Sequence, residues 1–511
     1  MMLNLRKAPC LVGRSAPLGA VGAAAWLMLA SLPAGAQNNG PPTSASTSAS
    51  PSKSVLESFW PASLTPRQAP QSNTLSASGL VQQLELRSGA PLSDAASDAA
   101  PLALTEAVRQ ATSRHPAIAD AVATLAQQVG GIDVARAGYY PRISAGVGGG
   151  RNNGISGGGG TGVTASASVS QMLYDFGKVD GTVDQAEALL RRQQAVVLKQ
   201  IDSVAQQTAD AVVQVHRYQA LAEIAQEQVT AVGKVLEMAR LRASAGISTR
   251  ADPIQATSRY DSARSTLLQV KSLQTQWRER LRTLTGAPVP AVIAPLPERI
   301  AGALRFDVWP DADLLPDVLA AQADRKVANA QLAVARAQRY PTISLDASTN
   351  KALNGVNANT LERNGTYHTL MINLSSVIYQ GGALDAQVRA ALAAEEAARQ
   401  RIESARLTAS DQVRSFREMA IGAQARLGVL ADRKRSIVEA RDLYREQYTL
   451  GTRSILDLLN AEQEIYLAAA DEQGVLHDLW QNRVSYIGAT GQSRALYDLN
   501  NTTVQGMELL P

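Results

Sequence analysis

Val134-Ala-Arg-Ala-Gly-Tyr-Tyr-Pro-Arg-Ile-Ser144 is written a second time in this chain, as Val334-Ala-Arg-Ala-Gln-Arg-Tyr-Pro-Thr-Ile-Ser344. Further along, Leu173-Tyr-Asp-Phe-Gly177 returns as Ile378-Tyr-Gln-Gly-Gly382, and the stretch Gly246 to Ala256 returns as Gly451 to Ala461. The chain is a tandem duplication, and each copy reads helix, strand pair, long helix, turn, helix. The copies occupy 99–290 and 309–492, with a linker over 291–308 and a C-terminal tail over 493–511.

In the first copy, helical periodicity runs from Leu102 to Ala137 and stops before Tyr140-Pro141, because the residue preceding a proline is pushed out of the helical region. Strand text follows. Ile143, Ala145 and Val147 alternate with small residues, a glycine-rich loop covers Gly148 to Gly162, and Val163, Ala165, Ala167 and Val169 alternate with Thr164, Ser166, Ser168 and Ser170. This pattern is a hairpin with one apolar and one polar face. In the second copy, Leu370, Ile372, Leu374 and Ile378 share one face of a strand over Tyr367 to Tyr379, while Thr369, Asn373 and Ser375 share the other. Its partner begins at Thr342, and the turn lies around Asn354 to Asn364.

Each hairpin is followed by a very long helix, near 180–245 and 383–450, with no proline in either. In the first, Val183, Ala186, Leu190, Gln194, Val197, Ile201, Val204, Thr208, Ala211, Val215 and Tyr218 step by three and four, as a coiled-coil seam does. A helix of roughly 66 residues is about 100 Å long, too long for an ordinary globular domain. The other helices, near 101–138, 251–285, 310–339 and 454–489, are about half that length. Two of them end to end match one long helix, giving antiparallel rods.

Composition agrees: only 4% of residues are aromatic, and Ala, Gln, Arg, Glu and Leu dominate long stretches. Residues 1–36 carry Arg6, Lys7 and Arg14, an apolar run from Ala20 to Leu32, and Ala34-Gly35-Ala36, the pattern of a cleaved secretory signal. A membrane anchor is the alternative, but the run is short for a hydrocarbon core of about 30 Å. Residues 37–98, rich in Ser, Ala, Pro, Thr and Gln, read as a disordered leader with a local apolar patch at Phe59 and Trp60. The single cysteine, Cys10, lies inside the signal, so thiol catalysis and zinc–cysteine sites are excluded from a mature chain. Removing the signal's three basic residues from the total of 49 leaves 46 against 45 acidic ones, a balance that calls for no nucleic acid.

Alternating strands fit two arrangements. A sheet half-buried on helices shows the same period. Against it, the strands are long enough to cross a bilayer when tilted, their polar face is Ser, Thr, Asn and Gly, and the neighbouring helices are committed to one another. Four strands cannot close a barrel, and open edges are not tolerated in lipid. Three copies give twelve strands and room for a channel. The fold class is therefore an α+β membrane protein built on an internal tandem repeat, with four strands per chain entering a shared trimeric barrel.

From Pro101 to about Gly491 the sequence resembles the TolC family of outer-membrane efflux and secretion ducts. The strongest match is Tyr448-Thr-Leu-Gly451-Thr452-Arg453-Ser454-Ile-Leu-Asp457-Leu-Leu-Asn460-Ala461, similar to that family's tunnel-tip turn in identity, spacing and repeat position. The resemblance implies a homotrimer whose twelve-stranded barrel continues into a periplasmic helical tunnel. It also implies a periplasmic adaptor and an inner-membrane transporter, ATP-driven or proton-driven, as partners. By the same resemblance, Tyr448 and Arg453 bond to Asp252 and to its neighbour Ala251, keeping the tunnel entrance shut. Ala251 stands where the family has threonine, which leaves only its carbonyl for such a bond. Asp457 and Asn460 match two acidic rings at the entrance, and Asn460 makes one of them neutral.

The residues alone also support plainer readings. Gly246 and Gly451 reverse the chain at the tips, Ser248 and Ser454 sit at the starts of the next helices, and Arg453 with Asp457 forms an ordinary i, i+4 pair. Gly157 to Gly162 satisfies G-x-G-x-x-G, yet a strand follows where a dinucleotide site requires a helix. The histidines His115, His216, His368 and His477 lie in different elements without ligand spacing, so neither a metal, another cofactor nor enzyme chemistry is expected. The expected function is export by a trimeric outer-membrane duct. The Gly-Thr-Arg-Ser-x-x-Asp turn and non-lipidated start favour type I protein secretion, with drug or metal efflux through a proton-driven pump as the alternative. A pore-less periplasmic coiled-coil protein is the alternative of another class.

Overall fold

The computed structural model describes residues 101–152, 160–290, 292–303, 311–357, 359–500 and 502–508. The signal over 1–36, the leader over 37–98 and the centre of the glycine-rich loop, 153–159, lie outside the described residues.

The first repeat contains α1 (Leu104–Arg114), α2 (Pro116–Arg136), β1 (Arg142–Asn152), β2 (Gly160–Tyr174), α3 (Lys178–Ser244) and α4 (Ala251–Thr285). A short α5 (Glu298–Ala303) precedes the second repeat: α6 (Pro316–Ala337), β3 (Thr342–Asn354), β4 (Thr366–Ser375), α7 (Ala383–Thr449) and α8 (Ile455–Ala489). The chain continues as α9 (Ser493–Leu496) and a small hairpin, β5 (Thr503–Val504) with β6 (Met507–Glu508). Both long helices have 67 residues, about 100 Å of rise.

The expected single helix over Leu102 to Ala137 is two helices. Pro116 at the first position of α2 holds His115 extended, at φ −66° and ψ 126°, and the His115 Nδ1 accepts from Ala117 N at 3.2 Å as the cap. The long helix α3 packs against α1, α2, α4, α6 and α8. The second long helix, α7, lies against α6 and α8. A Cβ on Gly181 would stand 2.6 Å from Val334 Cγ2, so the approach of α3 to α6 depends on that glycine.

The strands form one antiparallel sheet in the order β1-β2-β3-β4, so the two repeats meet at β2 and β3. Directly opposed residues share a face. One row across the sheet is Ile143, Val169, Ala347 and Leu370; the next is Ser144, Ser168, Ser348 and Thr369. In the polar row, the Ser144 and Ser168 hydroxyls share a hydrogen bond of 2.7 Å, as do those of Ser348 and Thr369. The apolar rows are open: Ile143 is 74% exposed and Leu370 73% exposed. No described helix covers that face, so burial on those helices does not account for the alternation.

Two strand limits differ from expectation. Pairing runs through the glycines, from Gly148↔Thr164 to Asn152↔Gly160, because a ladder needs main-chain groups and not side chains. Strand β4 stops at Ser375, short of Ile378 and Tyr379. Its last partner is Thr342, and Pro341 before it has no N–H to extend the ladder.

The main core lies where α1, α2, the middle of α3, the ends of α4 and α8, and the C-terminal segment converge. Tyr497 and Leu499 are buried in it, and Gln505 Nε2 donates to the Thr112 and His115 carbonyls at 3.1 and 3.0 Å. The stretch read as a tail thus closes the end of α1. Facing this segment, α3 carries two carboxylates. Burial pushes Asp202 up to about 6, against the pull of Arg494, and Asp210 up to about 7.

Candidate functional site

At one end of the long helices, two tight turns join α3 to α4 and α7 to α8. Gly246 and Gly451 take φ of +73° and +77°, the left-handed conformation that lets each helix end and the chain reverse. In the second turn Ser454 caps α8: its Oγ accepts from Asp457 N at 3.3 Å and donates to Asp457 Oδ2 at 3.1 Å. Arg453 Nε donates to the same Oδ2 at 3.1 Å, and its guanidinium lies 3.9 Å from the Tyr444 ring centre. The first turn differs. There Thr249, not Ser248, bonds the acid, with its Oγ1 donating to Asp252 Oδ1 at 2.9 Å.

Tyr448 is 3% exposed and packs among Val232, Val235, Leu236, Ala239 and Leu458. Its hydroxyl has no hydrogen-bond partner among the described residues. Burial raises its pKa, opposed by Arg242 and reinforced by Asp252. The turns are fastened by a residue the sequence reading did not single out: Arg242 Nη1 donates to the Tyr448 and Thr449 carbonyls at 3.0 and 3.1 Å. Asn460 Oδ1 accepts from Arg259 Nη2 at 3.3 Å, a second link between the repeats. The chain therefore brings Tyr448 near Asp252 and pairs Arg453 with Asp457. The bonds expected from Tyr448 and Arg453 to Asp252 and Ala251 are not made within the chain.

The sequence profile of the family described as outer membrane efflux protein matches residues 107–287 and 314–492, one stretch per repeat. The chain belongs to the outer membrane efflux protein family. Among relatives, nodulation protein T of Rhizobium leguminosarum bv. trifolii is 29% identical over 328 residues, covering 60% of this chain and 67% of that one. The alkaline protease secretion protein AprF of Pseudomonas aeruginosa is 26% identical, covering 53% of this chain and 56% of its own length. Outer membrane protein TolC of Vibrio cholerae is 24% identical, covering 62% and 74%. The fold matches that of CusC, with TM-score 0.67 at 16% identity over 76% of this chain and 91% of that one. It also matches the outer membrane protein VceC of Vibrio cholerae, with TM-score 0.65 at 19% identity over 76% and 96%. This family consists of bacterial outer-membrane channel proteins, and that membrane is where the chain resides. No described helix is long and apolar enough to cross a membrane.

Two further clusters in this efflux-family fold escaped the sequence reading. Glu462, 3% exposed, takes Arg441 Nη1 at 3.2 Å and Arg445 Nη2 at 3.5 Å from α7. The i, i+4 spacing of the two arginines was the available cue. His216 and His477 come near each other between α3 and α8. Burial lowers both pKa values, and each ring binds a carbonyl, of Ala294 at 2.8 Å and of Gln473 at 2.7 Å. These are satisfied structural histidines, kept neutral at pH 7.

Proposed function

We propose that three copies of this chain close their sheets into one twelve-stranded barrel and their helices into a periplasmic tunnel. Through this duct an inner-membrane transporter, with its adaptor, exports substrate to the exterior. The observation that carries the reading is the sheet: one face is apolar and open, and β1 and β4 each lack a partner on their outer edge among the described residues. Lipid demands that those edges be paired, and a β4 edge can meet the β1 edge of the next copy. The polar rows of Ser, Thr and Asn then line the lumen.

The helical turns form the entrance of this duct, with Tyr448, Arg453, Asp252, Asp457 and Asn460 around it. Threefold symmetry places three Asp457 carboxylates at one constriction, which favours cations. The Arg453 partner and the neutral Asn460 weaken that ring, so a trivalent cation blocks the channel only weakly. Block that persists undiminished in Asp457→Asn would refute the role of Asp457.

The substrate read from the second turn is a protein carried by an ATP-driven exporter. Alkaline protease secretion protein AprF matches over part of its length, in line with this. Small-molecule export is the second reading, favoured by likeness to the Pseudomonas putida toluene efflux pump protein TtgC, 28% identical over 355 residues. The test is conductance of the purified chain in planar bilayers. The duct reading expects discrete, long-lived steps; a protein that leaves the bilayer silent and is washed from membranes by carbonate would overturn it.

A further inference from the structure

Arg242 occupies the last turn of α3, and its own carbonyl closes the first tip by accepting from Ile247 N at 2.9 Å and Ser248 N at 3.3 Å. Its side chain crosses to the second tip. There it donates to two carbonyls at the C-terminal end of α7, lies 4.8 Å from the Tyr448 ring centre, and places Nη2 3.6 Å from where a Cβ on Gly451 would sit. The last carbonyls of a helix lack intrahelical donors and form the negative end of its dipole. A guanidinium fork suits them, since one planar cation donates to both carbonyls while stacking on a ring. Tyr448 supplies the ring and the carbonyl, and its hydroxyl supplies nothing.

We infer that Arg242 is the positioning residue that clasps the second coiled coil to the first at the entrance, acting on main-chain carbonyls of α7. This rests on the reading of the turns as the entrance of a duct. Because the acceptors are backbone, no side-chain substitution on α7 removes them; the clasp is lost only through Arg242. Opening then requires Arg242 to leave the end of α7, and whatever draws the turns apart works against this cation.

The test uses the full chain purified in detergent as wild type, Arg242→Gln and Arg242→Lys. Two readouts are taken: bilayer conductance, and amide exchange over Leu450 to Arg453. Loss of two charge-assisted hydrogen bonds shifts the open fraction by about tenfold in Arg242→Gln, with faster exchange at the turn. Arg242→Lys, a single point donor, falls between. An Arg242→Gln channel as closed as wild type, with unchanged exchange, overturns the inference. If no variant conducts, the duct reading fails by itself, and exchange at the turn alone then decides whether the clasp exists.

Discussion

The two long helices are equal in length and opposite in environment. Along α3, buried residues recur from Gly181 to Ala239, and Leu241 is its one exposed large hydrophobic residue. Along α7, only Val388, Ala398, Ile402, Val413, Ala420, Ala423 and Tyr448 are buried, while Leu407, Met419, Val429 and Leu443 are more than half exposed. The sequence repeats, but one copy is finished within the chain and the other is not. Helix α3 is surrounded by α1, α2, α4, α6 and α8; α7 lies mainly along α6 and α8 and meets α3 at Tyr448, and its open flank is apolar where a second copy can cover it.

Because of that difference, equivalent truncations act at different levels. Ile201→Ala on α3 removes a fully buried side chain and costs about 2–5 kcal/mol of protomer stability. Leu407→Ala on α7 leaves the protomer unchanged and lowers only the temperature at which the assembly dissociates. Thermal unfolding followed beside native mass spectrometry separates the two, and equal losses would break the comparison.

A charge on the sheet probes the other unfinished surface. Leu370→Arg places a cation on the open apolar row, at a cost of about 2–4 kcal/mol per copy near the bilayer centre. Thr369→Ser, on the polar row, costs nothing measurable. Insertion into vesicles, scored by resistance to urea, tells them apart.

The finished helix also carries a burden that α7 lacks. Asp210, pushed up to about 7 by burial, keeps a proton in the folded chain that the unfolded chain releases near pH 4, so its contribution to stability falls as pH rises from about 4 to about 7. Asp210→Asn therefore stabilises the protein at pH 8, by about 1–3 kcal/mol, and does little at pH 4. A melting temperature that gains equally at both pH values contradicts this.

At the tips the effect is smallest. Arg453→Ala removes an exposed i, i+4 pair worth about 0.2–0.5 kcal/mol within the chain. A larger loss of trimer stability, seen as a drop in dissociation temperature, would show that Arg453 bonds across to a neighbouring copy.

The duplication, the paired rods and the two-faced strands were legible in the sequence because each is a period, and periods survive without knowledge of neighbours. Features set by partners distant in sequence were not. Glycines 148 to 150 read as loop, yet they lie in a strand because Thr164, Val163 and Gly162 stand opposite them. Residues 493–511 read as tail, although Tyr497, Leu499 and Val504 fill the main core. At the proposed entrance, Tyr448, Arg453, Asp252, Asp457 and Asn460 were singled out by the resemblance of the turns to the family's tunnel tip. Arg242 was not, because its partners are carbonyls some 200 positions away, which no side-chain pattern marks. Pro116 was visible and should have broken the first helix, since a proline that opens a helix leaves the residue before it extended.

The central claim is that the open sheet and the bare flank of α7 are completed by two further copies. The most direct measurement is the protein mass of the purified, detergent-solubilised particle by light scattering. The account predicts three chains per particle, with precipitation when detergent is withdrawn. A single chain that stays monomeric and soluble without detergent would contradict it.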